Sequence, residues 1–240
     1  MRGLGTIINV AGILLGGLLA LLLRKKLSDS MQDTLMKVCG VSSFFIGAAG
    51  VMEKMLSIEE GALVSGQGLL LTVSLAAGAL IGELLKIEDL LERFGNFLKR
   101  KTGNSADGSF TEGFVTASLT VCIGAMAIIG SVEDGIRGNY SILATKAVLD
   151  CIIVMIMTVP LGKGCVFSAV PVALIQGGMT VLAVLIEPLF TTETLGVISL
   201  TGSAMISCVG INLIFGKKIK VANLLPALVI AVALRALGWL

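Results

Sequence analysis

The stretch that decides the fold is Cys122–Asp150, which reads CIGAMAIIGSVEDGIRGNYSILATKAVLD. Its first apolar run ends at the glycine-rich acidic segment Gly130–Gly135, and a second apolar run then carries Lys146 and Asp150. Charged side chains inside a membrane helix are costly, and they face a bundle interior or a watery cavity. The stretch therefore predicts two membrane helices joined by a short acidic turn, with charged groups inside the second helix.

The composition is that of an integral membrane protein. Hydrophobic residues make up 55% of the chain and charged residues only 14%, whereas soluble domains are about a quarter charged. The 18 basic and 16 acidic residues nearly balance, which excludes a strong general attraction for nucleic acid. Histidine is absent, and the five cysteines lack the close pairing of metal and redox motifs. We therefore expect no metal and no cofactor.

Apolar windows long enough to cross about 30 Å of hydrocarbon recur along the chain. Eight such windows lie near residues 4–23, 35–53, 62–83, 113–131, 142–161, 165–187, 195–215 and 222–240. They predict an all-α polytopic membrane protein of about eight transmembrane helices, in a single membrane domain over residues 1–240. The first, third and seventh windows also resemble one another, which indicates either an internal repeat or the shared composition of Leu/Gly-rich helices.

The loops between these windows differ in charge. Lys and Arg accumulate on the cytoplasmic side of short loops. Twelve basic residues fall in the loops after windows one, three, five and seven: Arg24, Lys25, Lys26, Lys86, Arg93, Lys99, Arg100, Lys101, Lys163, Lys217, Lys218 and Lys220. The opposite side holds four, or five with Lys146. We therefore expect both termini outside and the basic loops in the cytoplasm.

Residues 84–112 form a connector between the third and fourth windows. Apolar residues from Leu84 to Leu98 recur at three-to-four spacing, which predicts an amphipathic helix ending in Lys99–Lys101. The turn-rich segment Gly103–Ser109 predicts a flexible linker after it. The helix is interpreted as a cytoplasmic connector held to anionic lipid, or alternatively as a dimer contact or lateral gate.

Lys146 and Asp150 are four residues apart and so share a helix face. A rise of 1.5 Å per residue from Ile142 puts Asp150 about 12 Å into the bilayer. One interpretation is that Asp150 lines a polar cavity and titrates or coordinates a cation. The other is a local ion pair that only fixes the orientation of the helix.

The segment Gly130–Gly135 is also open to two interpretations. It is either an exposed hairpin, or a loop that folds back and presents Ser131 and Asp134 to a solute, which membrane depth allows only beside protein or water. Further inward-facing polar candidates are Asn9, Ser118, Thr120, Ser168, Gln176, Thr180 and Asn212. No phosphate-binding loop, zinc protease pair, serine elbow or intramembrane protease motif is present, so we do not expect an enzyme.

Several of these residues resemble the YdfK/YqgA-type bacterial membrane family, whose members carry a domain of unknown function. The resemblance covers nearly the whole chain. It rests on Gly5, Thr6, Asn9, Met126–Ser131, Asp134, Gly135, Lys146, Asp150, Ser168, Ala169, Gln176, Gly177, Gly210–Asn212, Lys218–Val221 and Asn223–Ala227. It implies a protein of the bacterial cytoplasmic (inner) membrane that transports something, with no substrate to carry over.

The leading hypothesis is a transporter or channel for a small solute or ion, acting as a homodimer in the lipid bilayer. Asp150 would be the coupling or coordinating carboxylate, Lys146 its charge partner, and Ser131 and Asp134 the outer vestibule. Gly130 is a further candidate residue of the solute or ion site. The alternative is a non-transporting membrane scaffold or sensor that binds lipid or a partner protein through its basic cytoplasmic face.

Overall fold

The computed structural model describes residues 2–24, 28–104, 107–122, 125–186 and 191–238. Nearly all of this is helix, which confirms the predicted all-α polytopic class. The α-helices are α1 (Leu4–Arg24), α2 (Asp29–Met55), α3 (Gly68–Leu85), α4 (Ile87–Lys101), α5 (Phe110–Cys122), α6 (Ala125–Arg137), α7 (Ser141–Leu161), α8 (Ala169–Ile186), α9 (Thr192–Phe215) and α10 (Pro226–Ala236). The 3-10 helices Lys163–Ser168 and Val221–Leu224 precede α8 and α10, and strands β1 (Leu56–Glu59) and β2 (Ala62–Ser65) precede α3.

Six segments in the described ranges are long and apolar enough to cross a membrane. They are α1 to Leu23, α2, α3, α7, Lys163–Ala183 and α9. The helix pair α5 and α6, bent by 63°, makes a seventh if it is one broken span. The predicted eighth window coincides with the shorter apolar segment Val221–Ala236, and its last two residues lie outside the described ranges, as do Lys25 and Lys26. The count of eight therefore stays a prediction.

The third membrane helix begins later than predicted. The predicted window starts at residue 62, but β1 and β2 pair as an antiparallel hairpin there, with Glu59 opposite Ala62. Glu60 and Gly61 form its two-residue loop, with φ of 51° and 80°. Positive φ at both loop positions is the geometry of a tight hairpin that suits the twist of the strands. The apolar residues of β2 therefore belong to an exposed strand, and α3 starts at Gly68.

The predicted acidic turn at Gly130–Gly135 is wrong. All six residues lie inside α6, and α7 begins four residues after α6 ends at Arg137. A Cβ at Gly130 would lie 2.7 Å from Leu143 Cδ2, so this glycine allows close packing rather than a chain reversal. The fourth predicted window instead contains the two helices α5 and α6, which are bent by 63° relative to each other, and Ile123 and Gly124 lie outside the described residues.

The chain forms two compact units. The first unit comprises Met1–Cys39 and Leu91–Pro188, and the second comprises Gly40–Leu90 and Leu189–Leu240. Three parts of the predicted organisation stay predictions: the single membrane domain over residues 1–240, the connector at 84–112 and the internal repeat. The connector contains α4.

Glycines pack helices closely in both units. In the first unit a Cβ at Gly12 would lie 2.8 Å from the carbonyl oxygen of Ala147, which brings α1 against α7. In the second unit a Cβ at Gly78 would lie 2.6 Å from Ala227 Cβ, which brings α3 against α10. Small residues spaced by four are the usual means of close helix approach where lipid gives no hydrophobic drive to pack.

Candidate functional site

The candidate site is built on the N-terminal half of α1, in the first unit. Thr6 and Asn9 are three residues apart and share a helix face. Thr6 is 8% exposed and Asn9 is fully buried. A buried amide is stable in an apolar bundle only when hydrogen bonds replace those it loses with water. The helices α7 and α8 supply these partners.

Asn9 connects three helices. Its Nδ2 donates to Oδ2 of Asp150 on α7 at 3.0 Å and to Oε1 of Gln176 on α8 at 3.2 Å. Gln176 is almost fully buried as well. Three candidates that the sequence spaces far apart, Asn9, Asp150 and Gln176, are therefore brought together.

Lys146 completes this network. Its Nζ pairs with Asp150, and it also donates to the carbonyl oxygen of Val121 at 2.8 Å. Both side chains of the pair are at least nine-tenths buried. Val121 lies in the last turn of α5, where carbonyl groups have no partner within their own helix and attract cations. The last turn of α5 thus provides Lys146 with a second hydrogen-bond acceptor. We call Asn9, Lys146, Asp150 and Gln176 the polar network.

The polar network is incompletely satisfied. Asn9 Oδ1 and Gln176 Nε2 are buried and have no hydrogen-bond partner among the described residues. One is an acceptor and the other a donor, so together they match a molecule that both donates and accepts hydrogen bonds. Buried polar atoms that remain unpaired cost about 1–3 kcal/mol each, which favours a role beyond packing.

Asp134 stabilises the start of α1. Its Oδ2 accepts a hydrogen bond from the backbone N–H of Gly5 at 2.9 Å, and the side chain is fully buried. The first N–H groups of a helix lack partners and carry partial positive charge, so a carboxylate there is favourable. Asp134 Oδ1 is unpartnered within the described part of the chain.

The other hydroxyl candidates of the first unit differ in their partners. Ser131 donates to the carbonyl of Ala127 at 2.6 Å, and Thr120 bonds the carbonyl four residues before it at 2.8 Å. Such bonds satisfy the hydroxyl within its own helix. Ser118 and Ser168 are buried, and their hydroxyls have no partner in the described ranges.

A cleft of about 470 Å³ lies between the N-terminus of α1 and helices α6 and α8. Its walls include Arg2, Thr6, Gly135, Gly177 and Thr180. Thr6 is one turn from Asn9 and Thr180 one turn from Gln176, so the cleft approaches the polar network to within about 6 Å along either helix. The hydroxyls of Thr6 and Thr180 are buried and lack partners within the described residues. Arg2 was not among the predicted candidates, because a lone terminal arginine gives no signal in the sequence.

Asn212 belongs to the second unit, and it fixes a loop there. Its Oδ1 accepts from the backbone N–H groups of Lys218 and Ile219 at 2.9 Å, and its Nδ2 donates to the Ile219 carbonyl at 2.7 Å. These bonds give Asn212 a local structural task, separate from the polar network.

The second unit also contains a polar cluster that sequence reasoning missed. Glu88 of α4 is buried and accepts from the N–H of Ala222 at 3.1 Å. In return, Oδ1 of Asn223 accepts from the N–H of Glu88 at 2.7 Å, and its Nδ2 donates to Glu83 at 2.7 Å. The start of α4 is therefore capped by Asn223, and the start of the 3-10 helix Val221–Leu224 is capped by Glu88. Lys217 and Lys220 pair with Glu88 and Glu83 at 2.8 Å and 2.6 Å.

A family model described as "Protein of unknown function (DUF554)" matches residues 4–236. The chain belongs to this family. It is 31% identical over 226 residues to "Uncharacterized membrane protein YdfK" of Bacillus subtilis (strain 168), covering 94% of this chain and 93% of that protein. It is 28% identical over 240 residues to "Uncharacterized protein YqgA" of Escherichia coli (strain K12), covering 98% and 97%. No solved structure matches.

These findings confirm the resemblance that the sequence motifs predict. Together with the apolar helices they support a membrane protein. Among the described residues no group of three Asp, Glu, Cys or His side chains could hold a metal ion.

Proposed function

We propose that this protein is a transporter or channel, and not an enzyme, that moves a small solute or ion through the first unit. The observation that carries the proposal is the polar network of Asn9, Lys146, Asp150 and Gln176, buried between apolar helices. Ionisable residues inside a membrane bundle are rare, and those present mark ion and solute pathways, proton relays or voltage sensors. Broken helices beside such residues are a recurrent feature of transporter binding sites.

The contacts support a division of roles in the polar network. Asp150 is the carboxylate that a cation or proton would reach, and Lys146 neutralises it when no such ligand is bound. An arriving cation would compete with Lys146 for Asp150, while the Val121 carbonyl keeps the displaced ammonium partly satisfied. The unpartnered Asn9 Oδ1 and Gln176 Nε2 would then bind the solute or its water.

Flux into reconstituted vesicles tests this assignment against a panel of inorganic ions and organic acids. Asp150→Asn should lower the flux of the transported solute at least about tenfold, because the variant keeps the shape and removes the charge. The matched control is Asp33→Asn. Asp33 also pairs with a lysine four residues away, Lys37, at 2.6 Å, but both side chains are more than half exposed.

Equal flux in wild type and Asp150→Asn for every solute moved would contradict the assignment of Asp150. An equal loss in Asp33→Asn would contradict it as well, since the effect would then not depend on the buried pair. A panel in which wild-type vesicles move nothing, although the protein is folded, would contradict transport itself.

The proposal extends to location, orientation and assembly. The loop charges support a cytoplasmic membrane location with both termini outside, and the sequence-based expectation is a homodimer. Labelling of single cysteines at position 2 and in the loop 217–220 with an impermeant reagent tests the orientation. Only the cysteine at position 2 should react in intact spheroplasts. Photobleaching steps in vesicles count the subunits, and two steps are expected.

A further inference from the structure

The helix α4 carries a groove of about 530 Å³ lined by Arg93, Asn96, Lys99 and Arg100. We call it the basic groove. Arg93, Asn96 and Arg100 follow one another at spacings of three and four, so they share a helix face, and Lys99 flanks them. Three cationic side chains and one amide therefore converge on one depression of the first unit.

The cations of the basic groove are available for a ligand. Arg93, Lys99 and Arg100 form no ion pair with a carboxylate of the described chain, in contrast to Lys217 and Lys220. Asn96 uses its Oδ1 to accept from Thr111 at 2.8 Å, which leaves its amide N–H donors for another group. The groove thus presents donors only, and its complement is an anion rich in acceptor oxygens.

The groove lies at the level where membrane helices of the first unit end. Thr111, which bonds Asn96, is in the first turn of α5. Lys163, two residues after α7 ends, donates to Asn104 near the end of α4 at 3.3 Å. Phe97 on α4 is 49% exposed, and Lys101 Nζ lies 5.9 Å from its ring centroid. An exposed aromatic beside cations at helix ends is typical of a helix that lies in the lipid headgroup region.

We propose that the basic groove binds the phosphate group of an anionic lipid. Guanidinium groups recognise phosphate with two parallel hydrogen bonds each, and Lys99 adds a third charge at the side of the groove. The apolar Phe97 beside the groove favours a phosphate that carries acyl chains over a free phosphate ion. This inference is independent of transport through the polar network.

The test titrates the purified protein in neutral detergent with short-chain phosphatidylglycerol, or with inorganic phosphate at the same concentrations. The groove variant is Arg93→Gln/Lys99→Gln/Arg100→Gln, whose side chains are at least partly exposed, so that it should fold. It should bind the lipid about a hundredfold more weakly, since it loses several charge-assisted hydrogen bonds. A charge-matched control, Lys37→Gln/Lys54→Gln/Arg137→Gln, removes three cations that lie outside the groove and pair with neighbouring carboxylates, and it should bind within about twofold of wild type.

A second variant separates a shaped site from general positive charge. Arg93→Lys/Arg100→Lys keeps every charge and loses the paired hydrogen bonds, so it should bind the lipid about tenfold more weakly. Equal affinity in the groove variant and the charge-matched control would overturn the proposal. Binding of inorganic phosphate as tight as that of the lipid would overturn the lipid as the ligand.

Discussion

The two units treat their buried polar groups in opposite ways. In the second unit the buried Glu88 and Asn223 cap helix starts, and the half-buried Asn212 fixes a loop. In the first unit the polar network connects three helices and still leaves two of its atoms without partners. Of the ten buried side-chain atoms without partners in the described ranges, eight lie in the first unit.

This difference separates polar residues that hold the fold from those that we propose bind a ligand. A satisfied cluster at helix ends is explained by helix capping alone. An unsatisfied one, deep among apolar helices, destabilises the fold unless a ligand or water completes it. The proposed function therefore belongs to the first unit, and the second unit supplies control variants.

The largest effect is expected from separating the buried ion pair of the first unit. Lys146→Met leaves Asp150 without its charge partner, which typically costs about 3–5 kcal/mol of unfolding free energy. Chemical unfolding in a fixed detergent measures the loss. Lys146→Met/Asp150→Leu removes both charges and should recover most of the stability. A single variant as stable as wild type would mean that the pair is not buried in the membrane protein.

Glycines test whether close packing, unlike polar chemistry, is shared by the two units. An added Cβ at Gly16 would overlap the Cys151 carbonyl, and one at Gly82 would overlap the Asn223 carbonyl. Gly16→Ala and Gly82→Ala should therefore each cost about 1–3 kcal/mol by forcing backbones apart. Gly177 has no atom within 4 Å of an added Cβ. Gly177→Ala should leave unfolding unchanged or raise its free energy by about 0.5–1 kcal/mol, and a loss as large as that of Gly16→Ala would contradict this account.

The sequence predicts the parts of the first unit that depend on local patterns. Long apolar windows identify its membrane helices, and spacing by four predicts that Lys146 and Asp150 meet. Asn9 and Gln176 stand out because polar residues are rare in such windows. Their direct contact could not be predicted, since it joins positions 167 residues apart.

The sequence-based predictions are wrong or incomplete where one local pattern is compatible with two structures, or where a residue's role depends on a distant contact. The sequence pattern predicts a turn at Gly130 and Gly135, yet both glycines allow close packing inside α6, and a single sequence does not distinguish these uses. The pattern also predicts that the residues of β2 belong to a membrane helix, because a short apolar run suits strand and helix equally. Glu88 occupies a polar position of an amphipathic helix, and its role depends on Ala222, 134 residues away.

Two buried asparagines provide the closest comparison between the units. Asn223→Ala removes a helix cap and should cost about 1–2 kcal/mol of unfolding free energy while flux stays unchanged. Asn9→Ala should lower flux at least about tenfold, because it removes the amide group that links Asp150 to Gln176 in the proposed pathway. Unfolding and vesicle flux, measured on the same preparations, check both. If the Asn223 variant loses flux as strongly as the Asn9 variant, the functional distinction between the units fails.

The smallest effect concerns the exposed pair Lys220–Glu83 of the second unit. The hydrogen bond that Lys220 donates to Glu83 raises the pKa of the ammonium above its ordinary 10.5. A raised pKa means that the pair stabilises the fold below pH 10.5 and ceases to do so as the pH rises through the new value. Lys220→Met should thus be slightly less stable than wild type at neutral pH, and this difference in stability should vanish only in strongly alkaline solution.

Because both side chains are more than half exposed, added salt should also reduce the difference in stability between Lys220→Met and wild type. Unfolding of both proteins from about pH 8 to about pH 12 measures it. The account would be contradicted if the difference in unfolding free energy between wild type and Lys220→Met stayed unchanged across this range. It would also be contradicted if that difference exceeded the loss caused by Lys146→Met, since the exposed lysine would then matter more than the buried one.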